Sequence, residues 1–286
     1  MLTLPHGLSR TELAAISDLE QRVLAVDGGR LKLEWPTLRA RSGRRPEDVL
    51  AWQDDLLVGF LGTYAFGGAT VELAGMVDPA ARRRGVGSAL LTAGLELCGG
   101  TALLVVPRSS GAGAAFALAR ARGLSHSEHA LVLTGPPAPG PADPGLELRP
   151  ARPDDVPAIA ALLAAGFGSA PDAPQVVRRL ADTRVAVLDG RIVATLRVER
   201  DGDTGAVCGF VVAPALQGRG LGRDLLRRVC GQLASDGAAR VALEVATDNE
   251  HALGLYTSLG FAPVATEDYY AVAAVPRPGA ADPAGR

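Results

Sequence analysis

One stretch of this chain is written twice, and that limits its architecture more than any other feature. The segment Val77-Asp78-Pro79-Ala80-Ala81-Arg82-Arg83-Arg84-Gly85-Val86-Gly87 returns as Val212-Ala213-Pro214-Ala215-Leu216-Gln217-Gly218-Arg219-Gly220-Leu221-Gly222, each matched position 135 residues further on. A period that long is a whole domain rather than a solenoid unit, so the 286 residues read as two tandem copies of one fold. Composition marks the seam independently: residues 135–145 read GPPAPGPADPG, and proline at that density favours an extended spacer. The expected division is a first domain over residues 1–134, the 135–145 linker, a second domain over 146–275 and a disordered tail over 276–286.

The order of elements is the same in both copies. In the first, Ser9 and Glu12 form a capping-box pattern with Leu8 and Leu13 placed as a hydrophobic staple, which predicts a helix from about Arg10. Apolar strand-like runs follow, broken at Asp54-Asp55 and Gly67-Gly68, and VELAGMV feeds directly into the repeated segment. In the second copy, Pro153 with Asp154 and Asp155 suits a first helical turn. TRVAVL, RIVATLRV and AVCGFVV then read as strands parted by Asp189-Gly190 and DGDTG. Leu221, Leu225, Val229 and Leu233 recur every four residues, the mark of a helix with one buried face. The strand VALEV, a helix through Ala252 to Ser258 and a strand near Tyr270 to Val275 complete the copy. The sum is an α/β domain with a mixed sheet.

Composition removes several classes of protein. Apolar residues at 48% and charged residues at 21% exclude a disordered chain, and no apolar run approaches the length of a membrane span. With no basic stretch followed by an apolar one at the start, a soluble, cytoplasmic protein is expected. A net charge of -2 gives no global attraction to nucleic acid or anionic membrane, and neither is expected as a partner. Cys98, Cys208 and Cys230 show no CxxC spacing and read as reduced thiols, with Cys208 a packed thiol on the strand before the second loop. His126 and His129 lie three apart without a third ligand, so no metal is expected.

The repeated segment carries the chemistry. It lies between the end of a strand and the start of a helix, where backbone N–H groups and the helix dipole make a site for phosphate. Glycines at alternate positions remove the Cβ atoms that would hold a pyrophosphate away from the backbone, and Arg82, Arg83, Arg84 and Arg219 add countercharge. The spacing is wrong for a dinucleotide-binding GxGxxG fingerprint, and no GK[ST] follows as a P-loop needs.

The arrangement V-x-P-x-x-[QR]-x-x-G-x-G opening a helix resembles the acyl-CoA pyrophosphate loop of the GCN5-related N-acetyltransferases. The second copy also holds that family's downstream motif: Leu243-Glu244-Val245, Asn249, Ala252, Leu255-Tyr256 and Leu259-Gly260-Phe261. The resemblance implies two tandem acyl-CoA N-acyltransferase domains, acetyl-CoA as cosubstrate and direct attack by an amine on the thioester. Carried over by position, it implies a cosubstrate site at Phe210, Val211, Val212, Gln217, Gly218, Arg219, Gly220, Leu221, Gly222, Arg223 and Asn249 in the second copy. The first copy offers Met76, Val77, Arg82, Arg83, Arg84, Gly85, Val86 and Gly87. Tyr256 stands where the family places its general acid, and its reference pKa of roughly 10 is set beside roughly 8.5 for a thiol, a transfer taken as not uphill. Glu244, twelve residues earlier, is the base candidate, against a solvated strand-end carboxylate. Asn249 reads as a pantetheine contact, a helix cap, or both, and His251 as a surface residue.

The copies are not equivalent. Aligning Gly123 with Gly260 puts Ala119 at the tyrosine position and Ala112 at the asparagine position, so the first copy has a loop but no acid. Glu72, on its strand before the loop, is a base candidate or a plain carboxylate. A catalytic second half behind a degenerate first half also resembles the mycothiol synthases, which implies a cysteinyl amino-sugar as acceptor. The leading expectation is acetyl transfer to a small-molecule or peptide primary amine, with the mycothiol-synthase-like acceptor and a non-catalytic acyl-CoA sensor as alternatives, for a monomer or homodimer.

Overall fold

The computed structural model describes residues 1–66, 70–98, 101–168 and 173–272. In chain order the first copy forms β1 (Leu2–Thr3), α1 (Arg10–Asp27), α2 (Trp35–Arg39), β2 (Asp48–Gln53), β3 (Leu56–Tyr64), β4 (Thr70–Val77), α3 (Val86–Leu97), β5 (Thr101–Pro107), α4 (Gly111–Leu118) and β6 (Gly123–Thr134). The second forms β7 (Glu147–Pro150), α5 (Val156–Phe167), α6 (Ala173–Arg178), β8 (Thr183–Leu188), β9 (Arg191–Asp201), β10 (Thr204–Val212), α7 (Leu221–Ser235), β11 (Arg240–Ala246), α8 (Glu250–Thr257) and β12 (Ala262–Val272).

Local chemistry sets most of these boundaries. The Ser9 hydroxyl accepts from the Glu12 amide while the Glu12 carboxylate accepts from the Ser9 amide, so α1 starts where the capping box puts it. Leu221, Leu225, Val229 and Leu233 are all buried on α7, each contributing about 1.5–3 kcal/mol through removal from water. Pro153 to Asp155 form a 3₁₀ turn ahead of α5 rather than its first α-turn. There Asp155 accepts from Arg149 at 2.7 and 2.9 Å and from the Arg152 amide at 2.7 Å. The last strand begins at Ala262 and ends at Val272, where the sequence put it near Tyr270 to Val275, and its pairing with β5 covers only Glu267 to Val272.

The chain divides into two compact units that are not its two contiguous halves. Unit 1 is Met1–Ser127 with the described residues from Ala265 onward, and unit 2 is Glu128–Val264. In unit 1 the strand order is β1-β2-β3-β4-β5-β12, with β4 and β5 parallel and β12 antiparallel to β5. In unit 2 it is β6-β11-β10-β9-β8-β7, with β10 and β11 parallel and β6 antiparallel to β11. The closing strand of each copy thus completes the sheet of the other. The expected 1–134 and 146–275 division follows the duplication in the sequence, whereas the packed units follow backbone pairing. Residues 135–145 form no helix or strand, with Arg227 donating to the Ala138 and Pro141 carbonyls. The expected tail over 276–286 lies outside the described residues.

Both units carry helices on both faces. In unit 1, α1 packs Ile16, Leu19 and Val23 against Phe60, Met76 and Tyr269, while α3 and α4 cover the other face with Leu90, Leu91 and Ala117. In unit 2, α7 and α8 pack on Leu243, Val245 and Val212, and α5 and α6 bring Val156, Ile159 and Val176 onto Val185. No helix among the described residues is long and apolar enough to cross a membrane.

Candidate active site

The two glycine loops adopt the same backbone path. Asp78 and Ala213 both show φ -47° and ψ 127°, and Gly85 and Gly220 sit in the left-handed region at 86° and 84° immediately before α3 and α7. Neither helix start is capped by a side chain, so its first-turn N–H groups are left for a ligand. A Cβ built on Gly85, Gly218 or Gly220 meets nothing within 4 Å, so both loops present the open backbone that a pyrophosphate requires. One position differs: Arg83 takes φ 62° where the second copy has Gly218 at 75°, a conformation costing an L-residue about 1–2 kcal/mol.

The alternation of arginine and glutamine in the motif has a structural cause. Arg82 Nε donates to the Val77 carbonyl at 3.1 Å, and Gln217 Nε2 donates to the matching Val212 carbonyl at 3.0 Å. Each side chain braces the strand end against the loop. Arg82 is further held by Asp27 at 2.8 and 2.6 Å, which leaves the exposed Arg83, Arg84 and Arg219 as rim cations. Arg223 donates to Ser258 at 3.0 Å.

Beside each loop the parallel strands part. The β10–β11 ladder runs from Thr204 opposite Arg240 to Ala206 opposite Ala242 and stops, and β4–β5 stops at Leu73 opposite Leu104. Backbone groups beyond those rungs can pair with an inserted amide-bearing ligand. The second copy adds a bulge between Cys208 and Val211, with Gly209 at φ 58°, whereas β4 pairs with β3 without a register shift.

Strand alternation places the sequence-derived residues. Phe210, Val212, Leu243 and Val245 pack on the α7 and α8 side with Tyr256, while Cys208, Val211 and Glu244 fall on the α5 side. Tyr256 and Glu244 therefore approach the gap from opposite faces of the sheet. Tyr256 is 7% exposed, its ring tilted against Phe261, and burial pushes its pKa up to about 12. Transfer from a phenol of pKa roughly 10 to a thiolate of roughly 8.5 is uphill even unburied, so the comparison made from sequence had the wrong sign, and burial widens the gap. Glu244 is exposed. Asn249 caps α8, its Oδ1 accepting from the Ala252 amide at 3.0 Å. His251 is exposed in the first turn of that helix.

The first copy needs a two-residue correction. Ser110 caps α4 by accepting from Gly113, as Asn249 caps α8, and both helices are eight residues long. The caps pair Ser110 with Asn249 and the buried Ala117 with Tyr256, not Ala112 and Ala119. Phe116 and Leu255 agree, each lying over the second loop glycine, Gly87 and Gly222. Alignment on Gly123 failed because the turn after α4 is longer; the acid is absent in either register. What the sequence did not disclose is a buried polar cluster in unit 1. Lys32, the chain's only lysine, donates to the Tyr269 hydroxyl at 2.6 Å and lies 3.4 Å from Glu72. Tyr269 comes from the end of the second copy, so no reading of the first copy alone could find it. His126 stacks on Tyr269 at 4.3 Å, and His129, three residues along the same strand, faces the opposite side.

The acetyltransferase (GNAT) family pattern matches residues 17–120 and 161–261. The chain is 32% identical to a mycothiol acetyltransferase from Clavibacter sepedonicus over 278 residues, covering 90% of this chain and 86% of the relative. Among solved structures, a GCN5-related N-acetyltransferase from Sphaerobacter thermophilus aligns with TM-score 0.78 at 20% identity, covering 96% of this chain and 97% of that one. A tandem GNAT protein from the clavulanic acid biosynthesis pathway aligns with TM-score 0.68 at 19% identity, covering 96% and 99%.

Proposed function

The chain belongs to the acetyltransferase (GNAT) family and is an acetyl-CoA-dependent acyltransferase, and from that premise we propose that unit 2 acetylates the primary amine of a mycothiol-type cysteinyl amino-sugar. The observation that carries the reading is that, among the described residues, only the second copy joins an open glycine loop, a bulged strand gap and a buried tyrosine on the α7–α8 side of its sheet. Similarity along nearly the whole chain to a mycothiol acetyltransferase supports the acceptor.

In this mechanism the amides of residues 218–223 hold the pyrophosphate, and Gln217 keeps the loop in place. Glu244 takes a proton from the acceptor ammonium, directly or through water, on the α5 face. The amine forms the new C–N bond at the thioester carbon as the C–S bond breaks, the Tyr256 hydroxyl donating a hydrogen bond to the departing thiolate from the other face; the nitrogen then loses its extra proton to solvent, and solvent protonates the thiolate. Unit 1 keeps an acetyl-CoA loop and, with Ala117 in place of the acid, binds without turnover.

The test is a panel of a cysteinyl amino-sugar, peptide N-termini, polyamines and aminoglycosides, with acetylated product measured by mass spectrometry and CoA stoichiometry by calorimetry. The expected result is the highest kcat/KM for the cysteinyl amino-sugar and two CoA per chain. Tight CoA binding without product from any amine would replace the enzyme with an acyl-CoA sensor.

A further inference from the structure

On the α5 face of unit 2, polar side chains gather where β10 and β11 part. In the β9–β10 ladder Cys208 stands opposite Arg197 and Ala206 opposite Glu199. Glu244 projects from the same face two residues beyond the last β10–β11 rung at Ala242, so two carboxylates flank the Cys208 position from neighbouring strands. Burial first and Glu199 next push the Cys208 thiol upward, with Glu244 adding to them, while the charge of Arg197 and a side-chain hydrogen bond from it pull the other way. Beside Cys208 the same face carries the small side chains of Ala206 and Ala242, both partly buried.

The charges in this patch stop short of one another. Glu199 lies 3.8 Å from Arg197 Nε and 3.7 Å from Arg179 Nη1, beyond hydrogen-bond length. Arg197 Nε is buried and makes no hydrogen bond among the described residues. Arg149 and Asp155, by contrast, close to 2.7 Å. A ligand with an oxygen for Arg197 and a cationic nitrogen for Glu199 would satisfy both groups.

The geometry points to Arg197 and Glu199 as readers of an aminoacyl acceptor: Glu199, with Glu244 across Cys208, holds the ammonium, and Arg197 Nε donates to the carbonyl oxygen of the same aminoacyl unit. The assignment rests on unit 2 being the transferase. It selects α-aminoacyl compounds over amines that lack the carbonyl, and it places part of the acceptor site on β9, a strand outside both sequence motifs.

The experiment compares L-cysteinamide with cysteamine, which differ by the carboxamide, in the full chain and its variants, with N-acetylated product followed by mass spectrometry. The parent should prefer cysteinamide by roughly tenfold or more in kcat/KM. Glu199→Gln should raise KM for both amines roughly 10- to 100-fold without changing KM for acetyl-CoA, and Glu199→Asp should recover part of that loss. Arg197→Met should erase the preference by lowering kcat/KM for cysteinamide to the level of cysteamine. Equal kcat/KM for the two amines in the parent, or an unchanged acceptor KM in Glu199→Gln, overturns the assignment. Unaltered acetyl-CoA affinity in each variant verifies folding. No product from either amine in the parent overturns the transferase reading and this assignment with it.

Discussion

Replacing Tyr256 with phenylalanine removes one oxygen from a side chain that is 7% exposed, and it tests what that oxygen does. Burial pushes the Tyr256 pKa up to about 12. Against a simple thiol near 8.5, complete transfer of the phenolic proton to the leaving thiolate is uphill by about 3.5 units, or about 5 kcal/mol. The hydroxyl therefore works best as a hydrogen-bond donor to the sulfur while charge develops, and the proton is completed from solvent afterwards. A charge-assisted hydrogen bond of that kind contributes about 1.5–3 kcal/mol, so Tyr256→Phe should lower kcat roughly 10- to 150-fold. KM for acetyl-CoA should change little, because the ground-state thioester sulfur is a weak acceptor. Burial alone raises the Tyr256 pKa, with no hydrogen bond contributing, so the melting temperature should hold within a change worth about 1 kcal/mol. The assay is steady-state acetylation from pH 6 to 10.5 with saturating acetyl-CoA, where the parent should show no basic limb because the phenol stays protonated. A kcat within about twofold of the parent would remove the hydroxyl from the mechanism. A basic limb near pH 10 that vanishes in the variant would refute the burial argument.

Glu244→Gln removes the proposed base, so the gain in rate on raising pH should flatten; a pH profile parallel to the parent's would place the base elsewhere. Arg83→Gly relieves a left-handed arginine at φ 62°, and the strain relief less the extra freedom of an unfolded glycine should raise stability by about 0.5–1 kcal/mol. A lower urea midpoint would show that the loop needs the arginine side chain. Hydrogen bonds from Arg149 hold the Asp155 carboxyl below its usual range. Since the folded pKa is the lower one, that stability is present above about pH 4 and lost as pH falls through the folded value. Asp155→Asn should be less stable at neutral pH and show a shallower acid dependence in denaturant titrations from pH 5 to 2; parallel curves for the two proteins would sink the linkage.

Local signals carried far where the physics is local. The capping box at Ser9, the fourfold leucine-valine recurrence of α7 and the turn residues around β8 each act within a few residues, and those elements lie where the sequence puts them. The glycine loops were legible for the same reason, since left-handed φ angles need glycine or a strained substitute. The braces from Arg82 and Gln217 were not legible, because a side chain returning to a carbonyl five residues back leaves no pattern distinct from a phosphate contact. The helix register of the first copy was misplaced because a longer turn slides its glycine without moving its cap. The Arg197–Glu199 patch lay outside every motif, since cross-strand register alone brings it beside Cys208.

By itself the sequence determined that the chain is a duplication, that each copy opens a helix with a glycine loop, and that only the second has a tyrosine, Tyr256, in the helix before its closing strand. Those follow from short-range geometry and from which residue types are present. Only the tertiary structure decided that β6 completes the second unit and β12 the first, that Tyr269 reaches Lys32, and that Glu244 and Tyr256 lie on opposite sides of the sheet. The physical reason is that strand pairing is made by backbone groups every residue shares. Either copy's last strand satisfies the same ladder, and the choice between them is written in long-range packing rather than in any local run of side chains.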